Sequence, residues 1–163
     1  MNKKLCFTSA LLSLFLLSCG SNATFRQDKE LSGGWELDSP VRFVIEDSFT
    51  APSNTFVHIR NNSEYPFANL FLIITLLEND QIIERDTLEY AMADARGNWL
   101  GSGFNELKES KLLWKSAWIP KGELPYTIEI QQANRENGKE FAQAILPGIL
   151  TVGFSVEPQQ IEK

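Results

Sequence analysis

The stretch Asn69-Leu70-Phe71-Leu72-Ile73-Ile74-Thr75-Leu76-Leu77 is the most apolar part of the chain beyond its N-terminal region. Near-continuous hydrophobicity of this length predicts a central β-strand that is covered on both faces. The polar tetrapeptide Glu78-Asn79-Asp80-Gln81 follows, and strand-forming residues return over 82–88. The combination predicts a β-hairpin at the centre of the fold.

Working outward from this hairpin, β-branched and aromatic runs and two-residue alternation predict further short strands. They cover residues 41–45, 55–60, 111–119, 126–131 and 150–156. Helical patterning is weak: residues 89–95 indicate one or two turns, and 135–145 a short helix before Pro147. The pattern therefore predicts an all-β fold, a single antiparallel β-sandwich of jelly-roll or immunoglobulin-like type over residues 31–163.

The N-terminus has the form of a bacterial lipoprotein signal. Lys3 and Lys4 precede a short apolar run, which ends in the lipobox Leu16-Leu17-Ser18-Cys19. The run is shorter than the roughly 20 residues that a membrane-spanning helix needs. Residues 1–18 are therefore predicted to be cleaved, Cys19 to carry acyl chains, and residues 19–30 to form a flexible tether. An ordinary secretory signal followed by an incidental cysteine is the alternative.

Composition narrows the function classes. Loss of Lys3 and Lys4 leaves 13 basic against 21 acidic residues, a net charge of −8. This charge opposes binding to nucleic acid and broad adsorption to anionic lipid, so the predicted membrane contact is the lipid on Cys19. With Cys6 in the signal and Cys19 acylated, the mature body has no thiol for a disulfide, a cysteine zinc site or a cysteine nucleophile.

Candidate catalytic groups are sparse. His58, the only histidine, lies inside a strand pattern, which is typical of a structural or surface residue. The glycines near residue 100 match neither a nucleophile elbow nor a nucleotide-binding loop. Calcium bound by Asp94 and Asn98 is conceivable, but the spacing is not that of a known calcium loop. We predict no catalytic residue, no metal and no cofactor.

The segment 86–103 mixes acids, aromatic residues and glycines without clear periodicity. Such a loop can present Trp99 to a partner, because a rigid scaffold holds its binding groups on loops. Alternatively, Trp99 closes one end of the sandwich core.

Two stretches of the chain resemble the GldH family of gliding-motility lipoproteins. The first contains Asp86-Thr87-Leu88-Glu89, Ala93-Asp94 and Gly97-Asn98-Trp99-Leu100-Gly101, followed by Gly103. The second contains Tyr126 to Gln132, Asn134-Arg135, Leu146-Pro147-Gly148-Ile149 and Val152-Gly153. With the lipobox, the resemblance covers nearly the whole chain.

The resemblance implies a non-enzymatic envelope lipoprotein that supports gliding and the associated protein-secretion machinery through protein contacts. We expect a domain that faces the periplasm, because no acidic residue directly follows Cys19. The candidate partner-binding residues lie on loops: Asp94, Gly97, Asn98, Trp99, Gly101, Gly103, Arg135 and Gly148.

A lipid-anchored carbohydrate-binding or glycan-processing module is the alternative function. The chain has four tryptophans, and Trp114 and Trp118 share one face of a predicted strand. An open face would give these rings a flat platform for sugars, whereas a core face would make them structural.

Overall fold

A computed structural model describes residues 23–120, 123–135 and 142–159. Their secondary structure is β-strand, and no described segment is a helix long and apolar enough to cross a membrane. The strands are β1 (Phe25–Glu30), β2 (Trp35–Glu36), β3 (Val41–Ile45), β4 (Ser53–Asn61), β5 (Asn69–Glu78), β6 (Gln81–Ala91), β7 (Lys108–Trp118), β8 (Tyr126–Gln132), β9 (Ile145–Leu146) and β10 (Ile149–Pro158).

Two four-stranded antiparallel sheets face each other. The first sheet has the strand order β1-β10-β4-β7 and the second has the order β3-β8-β5-β6, while β2 and β9 form a small separate pair. This arrangement confirms the predicted antiparallel β-sandwich. It follows from the period-two pattern, because each sheet turns one apolar face toward the other.

The core lies between these faces and is rich in aromatic side chains. Phe154 of β10 stacks on Phe43 of the opposite sheet at 6.1 Å between ring centroids and meets Trp114 edge-on at 5.9 Å. Trp35 is also fully buried. Burial on this scale stabilises the domain without any disulfide, at about 25 cal/mol per Å² of apolar surface.

Strand β5 is an interior strand, as predicted, but only one of its faces is completely covered. Leu70, Leu72 and Ile74 are fully buried between the sheets. Phe71 and Ile73 point outward and remain partly exposed. Their hydrophobicity therefore exceeds what the packing requires, and the predicted covering of both faces is wrong.

The β5–β6 hairpin is confirmed, with Asn79 and Asp80 at positive φ in its turn. Asn and Asp tolerate this left-handed conformation better than most residues, which explains the choice of turn sequence. The helical turn predicted over 89–95 is wrong, because β6 continues to Ala91 and a short hairpin follows. The helix predicted over 135–145 falls mostly outside the described residues.

Polar side chains close one side of the sandwich, where β6 faces β7. The indole Nε1 of Trp114 donates to Asp86 at 2.9 Å, and the Tyr90 hydroxyl donates to the Leu113 carbonyl at 2.8 Å. Lys115 forms ion pairs with Glu84 at 2.5 Å and with Asp86 at 3.1 Å. These contacts fix the register between the edges of the two sheets.

The tether predicted for residues 19–30 is wrong for its second half. Phe25–Glu30 form β1, which pairs with β10 along its whole length, and Thr24 N donates to the Val156 carbonyl at 2.9 Å. The strand is exposed and mostly charged, so it lacks the apolar face that marks a strand in the sequence. Backbone pairing and the contact of Phe25 with Phe154 hold it.

Candidate functional site

The candidate loop begins where β6 ends and forms a small hairpin of its own. The amides of Met92 and Ala93 both donate to the Ala68 carbonyl, at 2.7 and 3.0 Å. Ala93 and Trp99 then form a β-bridge, and Leu100 N donates to the Met92 carbonyl at 2.9 Å. The loop is thus an ordered extension of the sheet.

Asp94 holds the tip of this hairpin together. Its Oδ1 accepts the amides of Arg96 and Asn98 at 2.8 and 2.9 Å, and its Oδ2 accepts the Asn98 side-chain amide at 2.9 Å. These bonds, led by the Asn98 side chain, lower the pKa of the Asp94 carboxyl. Gly97 lies in the same turn at φ 84°, a conformation that favours glycine.

The Asp94 oxygens therefore have structural partners, which gives the carboxylate a role without calcium. Within the described ranges, no group of three or more His, Cys, Asp or Glu side chains is placed to hold a metal ion.

Gly101 and Gly103 bring the following segment against β7. Ser102 and Glu109 exchange backbone hydrogen bonds of 2.9 and 2.7 Å between these glycines. A Cβ on Gly101 would approach the Glu109 carbonyl oxygen at 2.9 Å, and one on Gly103 would collide with the Leu107 carbonyl. Both glycines are thus needed for close backbone packing and contribute no binding group of their own.

Trp99 packs against the core edge while keeping part of its surface exposed. Its ring lies 6.0 Å from that of Tyr65, centroid to centroid. The sequence left open whether Trp99 is presented to a partner or closes the end of the core. In the structure Trp99 partly covers the end of the core and also keeps an exposed surface.

Tyr65 lies at the centre of the candidate site, where the segments that carry the candidate partner-binding residues come together. Its hydroxyl donates to the Asn69 carbonyl at 2.6 Å and accepts a 3.3 Å bond from the Asn134 side chain. Burial raises the pKa of this phenol well above its usual value. Asn134 is itself buried and also receives the Phe71 amide at 2.7 Å.

The Pro147-Gly148 turn reaches the same place from the other side. The Gly148 carbonyl accepts the Asn62 amide at 2.9 Å. Gly148 has φ 75°, and a Cβ there would lie 2.7 Å from both the Glu64 carbonyl carbon and the Tyr65 Cα. No other residue fits this approach without moving backbone.

Three sequence segments thus meet around Tyr65: the 92–103 loop, the Asn134-Arg135 pair and the Pro147-Gly148 turn. Arg135 is exposed beside this cluster. Sequence reasoning missed Tyr65 and Asn134 as the buried centre. The available signal was an aromatic residue at the end of the polar stretch Asn61-Asn62-Ser63-Glu64, where only polar side chains are expected.

The surface that this framework presents is apolar in places. Leu100 is 60% exposed, Phe104 is 83% exposed, and Leu107 is 49% exposed. A cavity of about 880 Å³ lies between Arg60 and the segment 102–109. We call the exposed part of residues 94–107 the loop surface.

His58 and Ser155 are joined by a hydrogen bond in the first sheet. Both are buried, with His58 Nε2 2.8 Å from Ser155 Oγ, and Arg26 donates to His58 Nδ1 at 3.3 Å. Burial, helped by the Arg26 charge, lowers the pKa of His58. The Ser155 hydroxyl donates to a Glu157 carboxylate oxygen at 3.2 Å, so these side chains form a continuous chain of hydrogen bonds across the first sheet.

Trp114 and Trp118 face the core. Each is only 8% exposed, and their rings lie 6.3 Å apart. The proposed carbohydrate platform therefore does not exist on this strand, and the glycan-binding alternative loses the surface on which it depended.

Cys19 and the rest of the predicted signal lie outside the described residues.

The chain is similar in sequence to known lipoproteins. A family model described as GldH lipoprotein matches residues 23–156. The gliding motility lipoprotein GldH of Flavobacterium johnsoniae is 41% identical over 149 residues, which cover 90% of this chain and 92% of that protein. A GldH homolog of Christiangramia forsetii is 36% identical over 148 residues, covering 90% and 91%.

Proposed function

The chain belongs to the GldH lipoprotein family, and from this membership we propose that it supports gliding motility as a non-enzymatic accessory protein of the cell envelope. In this proposal its acylated Cys19 anchors it to a membrane, and its domain faces the periplasm. It acts by binding another protein of the gliding and secretion machinery.

The observation that carries the proposal is the loop surface itself. Hydrogen bonds within the loop and to Ala68 fix its backbone, yet Leu100 and Phe104 expose large apolar side chains. Ordered loops that expose apolar groups are typical of protein interfaces, since they lose little conformational entropy on binding.

Charged groups around the apolar side chains are consistent with an interface rim. Arg60 and Glu109 form an ion pair of 3.3 Å beside the cavity, and Lys108 donates to the Gly103 carbonyl at 3.3 Å. Exposed Arg135 adds a candidate anchor near the Tyr65 cluster. An apolar centre with a mixed-charge rim matches a protein partner better than a sugar or a nucleic acid.

Co-purification tests this proposal. Leu100→Ser and Phe104→Ser, alone and combined, are compared with the parent after solubilisation of the envelope, together with Arg135→Ala. Ile82→Ser is the matched control, because Ile82 is also 60% exposed but lies at the β5–β6 turn.

We expect Leu100→Ser, Phe104→Ser, their combination and Arg135→Ala to lose the partner while their thermal melting stays unchanged. We expect Ile82→Ser to retain the partner. The proposal is wrong if the loop variants retain the partner, or if Ile82→Ser loses it equally.

A further inference from the structure

The path of β1 places the membrane anchor and residues 102–107 of the loop surface at opposite ends of the first sheet, while Ala23 and Leu100 line one cavity across its outer face. Phe25, at the start of β1, pairs with Val156, which pairs with Thr55, which in turn pairs with Lys115. This row of residues marks the entry end of the sandwich, where the chain arrives from Cys19.

The end of β1 marks the opposite end of the first sheet. Glu30 pairs with Thr151, Thr151 with Arg60, and Arg60 with Glu109, which bridges to Ser102 in the loop surface. Five residues of strand separate the two rows, which corresponds to about 17 Å.

The second sheet extends the same axis. Lys115 in the entry row forms a side-chain ion pair with Glu84, and the β5–β6 turn lies three residues beyond Glu84 on the side away from the loop surface. Gln81 in that turn is therefore farther from the level of Ser102 than the entry row is, which means more than about 17 Å at about 3.4 Å per residue.

The covalent reach from the anchor is short. Five peptide units connect Cys19 to Thr24, whose amide is fixed to Val156, so the connection spans at most about 18 Å. The entry end must therefore stay close to the lipid surface. The net charge of −8 on the mature chain opposes lying flat on an anionic leaflet.

Resting on the function proposed above, we propose that the domain stands on the bilayer with the loop surface pointing away from it. The occupant of that surface is then the water-exposed part of a protein partner, with an apolar centre for Leu100 and Phe104 and charged groups facing Arg60 and Glu109. Lipid is excluded as the occupant, although exposed leucine and phenylalanine side chains alone would also suit a membrane.

Energy transfer in vesicles tests this orientation. The purified lipidated chain has no free thiol once Cys19 is acylated, so a single introduced cysteine takes a donor dye at one position. Glu106→Cys labels the loop surface and Gln81→Cys labels the entry end, both at exposed residues. Vesicles of phosphatidylethanolamine and phosphatidylglycerol carry the acceptor on their headgroups.

We expect the donor at Glu106→Cys to lie at least about 17 Å farther from the acceptor plane than the donor at Gln81→Cys, and to show correspondingly weaker transfer. Equal transfer from both sites, or stronger transfer from Glu106→Cys, would overturn the proposed orientation and indicate contact between the loop surface and lipid. Because the vesicles contain no partner, this result is independent of the co-purification experiment. Failure of one therefore does not imply failure of the other.

Discussion

Replacing Gly148 by alanine should weaken the framework that holds the predicted segments together. Gly148 has φ 75°, which costs an alanine about 1–2 kcal/mol. The added Cβ would also lie 2.7 Å from the Tyr65 Cα and closer still to its nitrogen, and backbone cannot rotate away as a side chain can. Overpacking of this kind costs a further 1–3 kcal/mol, roughly.

Gly97→Ala is the matched control for this substitution. Gly97 has φ 84°, almost the same backbone strain, but a Cβ there meets nothing within 4 Å. The lower entropy of the unfolded alanine chain offsets part of the strain, which leaves a net loss of about 1 kcal/mol. The two variants therefore isolate the contact with Tyr65 from the effect of positive φ.

Urea unfolding and thermal melting measure the difference. We expect Gly148→Ala to lose about 1–3 kcal/mol more than Gly97→Ala, the cost of overpacking alone, or roughly 3–10 °C more in Tm. An equal loss for both variants would refute the account. It would show that backbone strain alone sets the loss of unfolding free energy and that the close approach of Gly148 to Tyr65 does not contribute to it.

Three further predictions concern the anchor, Trp99 and the acid range. Cys19→Ala should release the chain from membranes after salt and carbonate washes, and retention would show a second means of attachment. Trp99→Ala should lower stability by about 2–3 kcal/mol, less than a fully buried tryptophan, whereas Phe104→Ala should change it by less than about 0.5 kcal/mol; equal effects in denaturation would contradict the assigned positions. The lowered pKa of Asp94 means that its contribution to loop order is present above the unfolded pKa and lost in acid, as the pH falls through the lowered folded pKa. Relative to the intrinsic exchange rate at the same pH, the protection of the Asn98 amide should therefore fall there in the parent, and unchanged protection would remove Asp94 from this role.

The sequence pattern predicts most of the sandwich because a strand buried on one face has an apolar residue at every second position. Strand β3 begins and ends at its predicted residues, and β5, β8 and β10 differ from the prediction by one or two residues at their ends. Strand β1 escaped prediction because its one apolar side chain, Phe25 against Phe154, leaves no alternation to detect.

The candidate site was predictable only in its parts. The glycines and Trp99 are visible as a loop in the sequence, but the convergence on Tyr65 depends on contacts across 69 residues to Asn134 and a similar separation to Gly148. Such long-range approaches are fixed by sheet topology. No local pattern encodes which turn a glycine will touch.

Position-specific photo-crosslinking in intact cells tests the central claim most directly. A photoreactive residue replaces Phe104 in the loop surface, or Ile82 at the entry end, in the membrane-anchored chain. We predict a discrete protein adduct from position 104 that is absent from position 82 and is lost when Leu100→Ser is added. Lipid adducts alone at position 104, or the same protein adducts from both positions, would contradict the account.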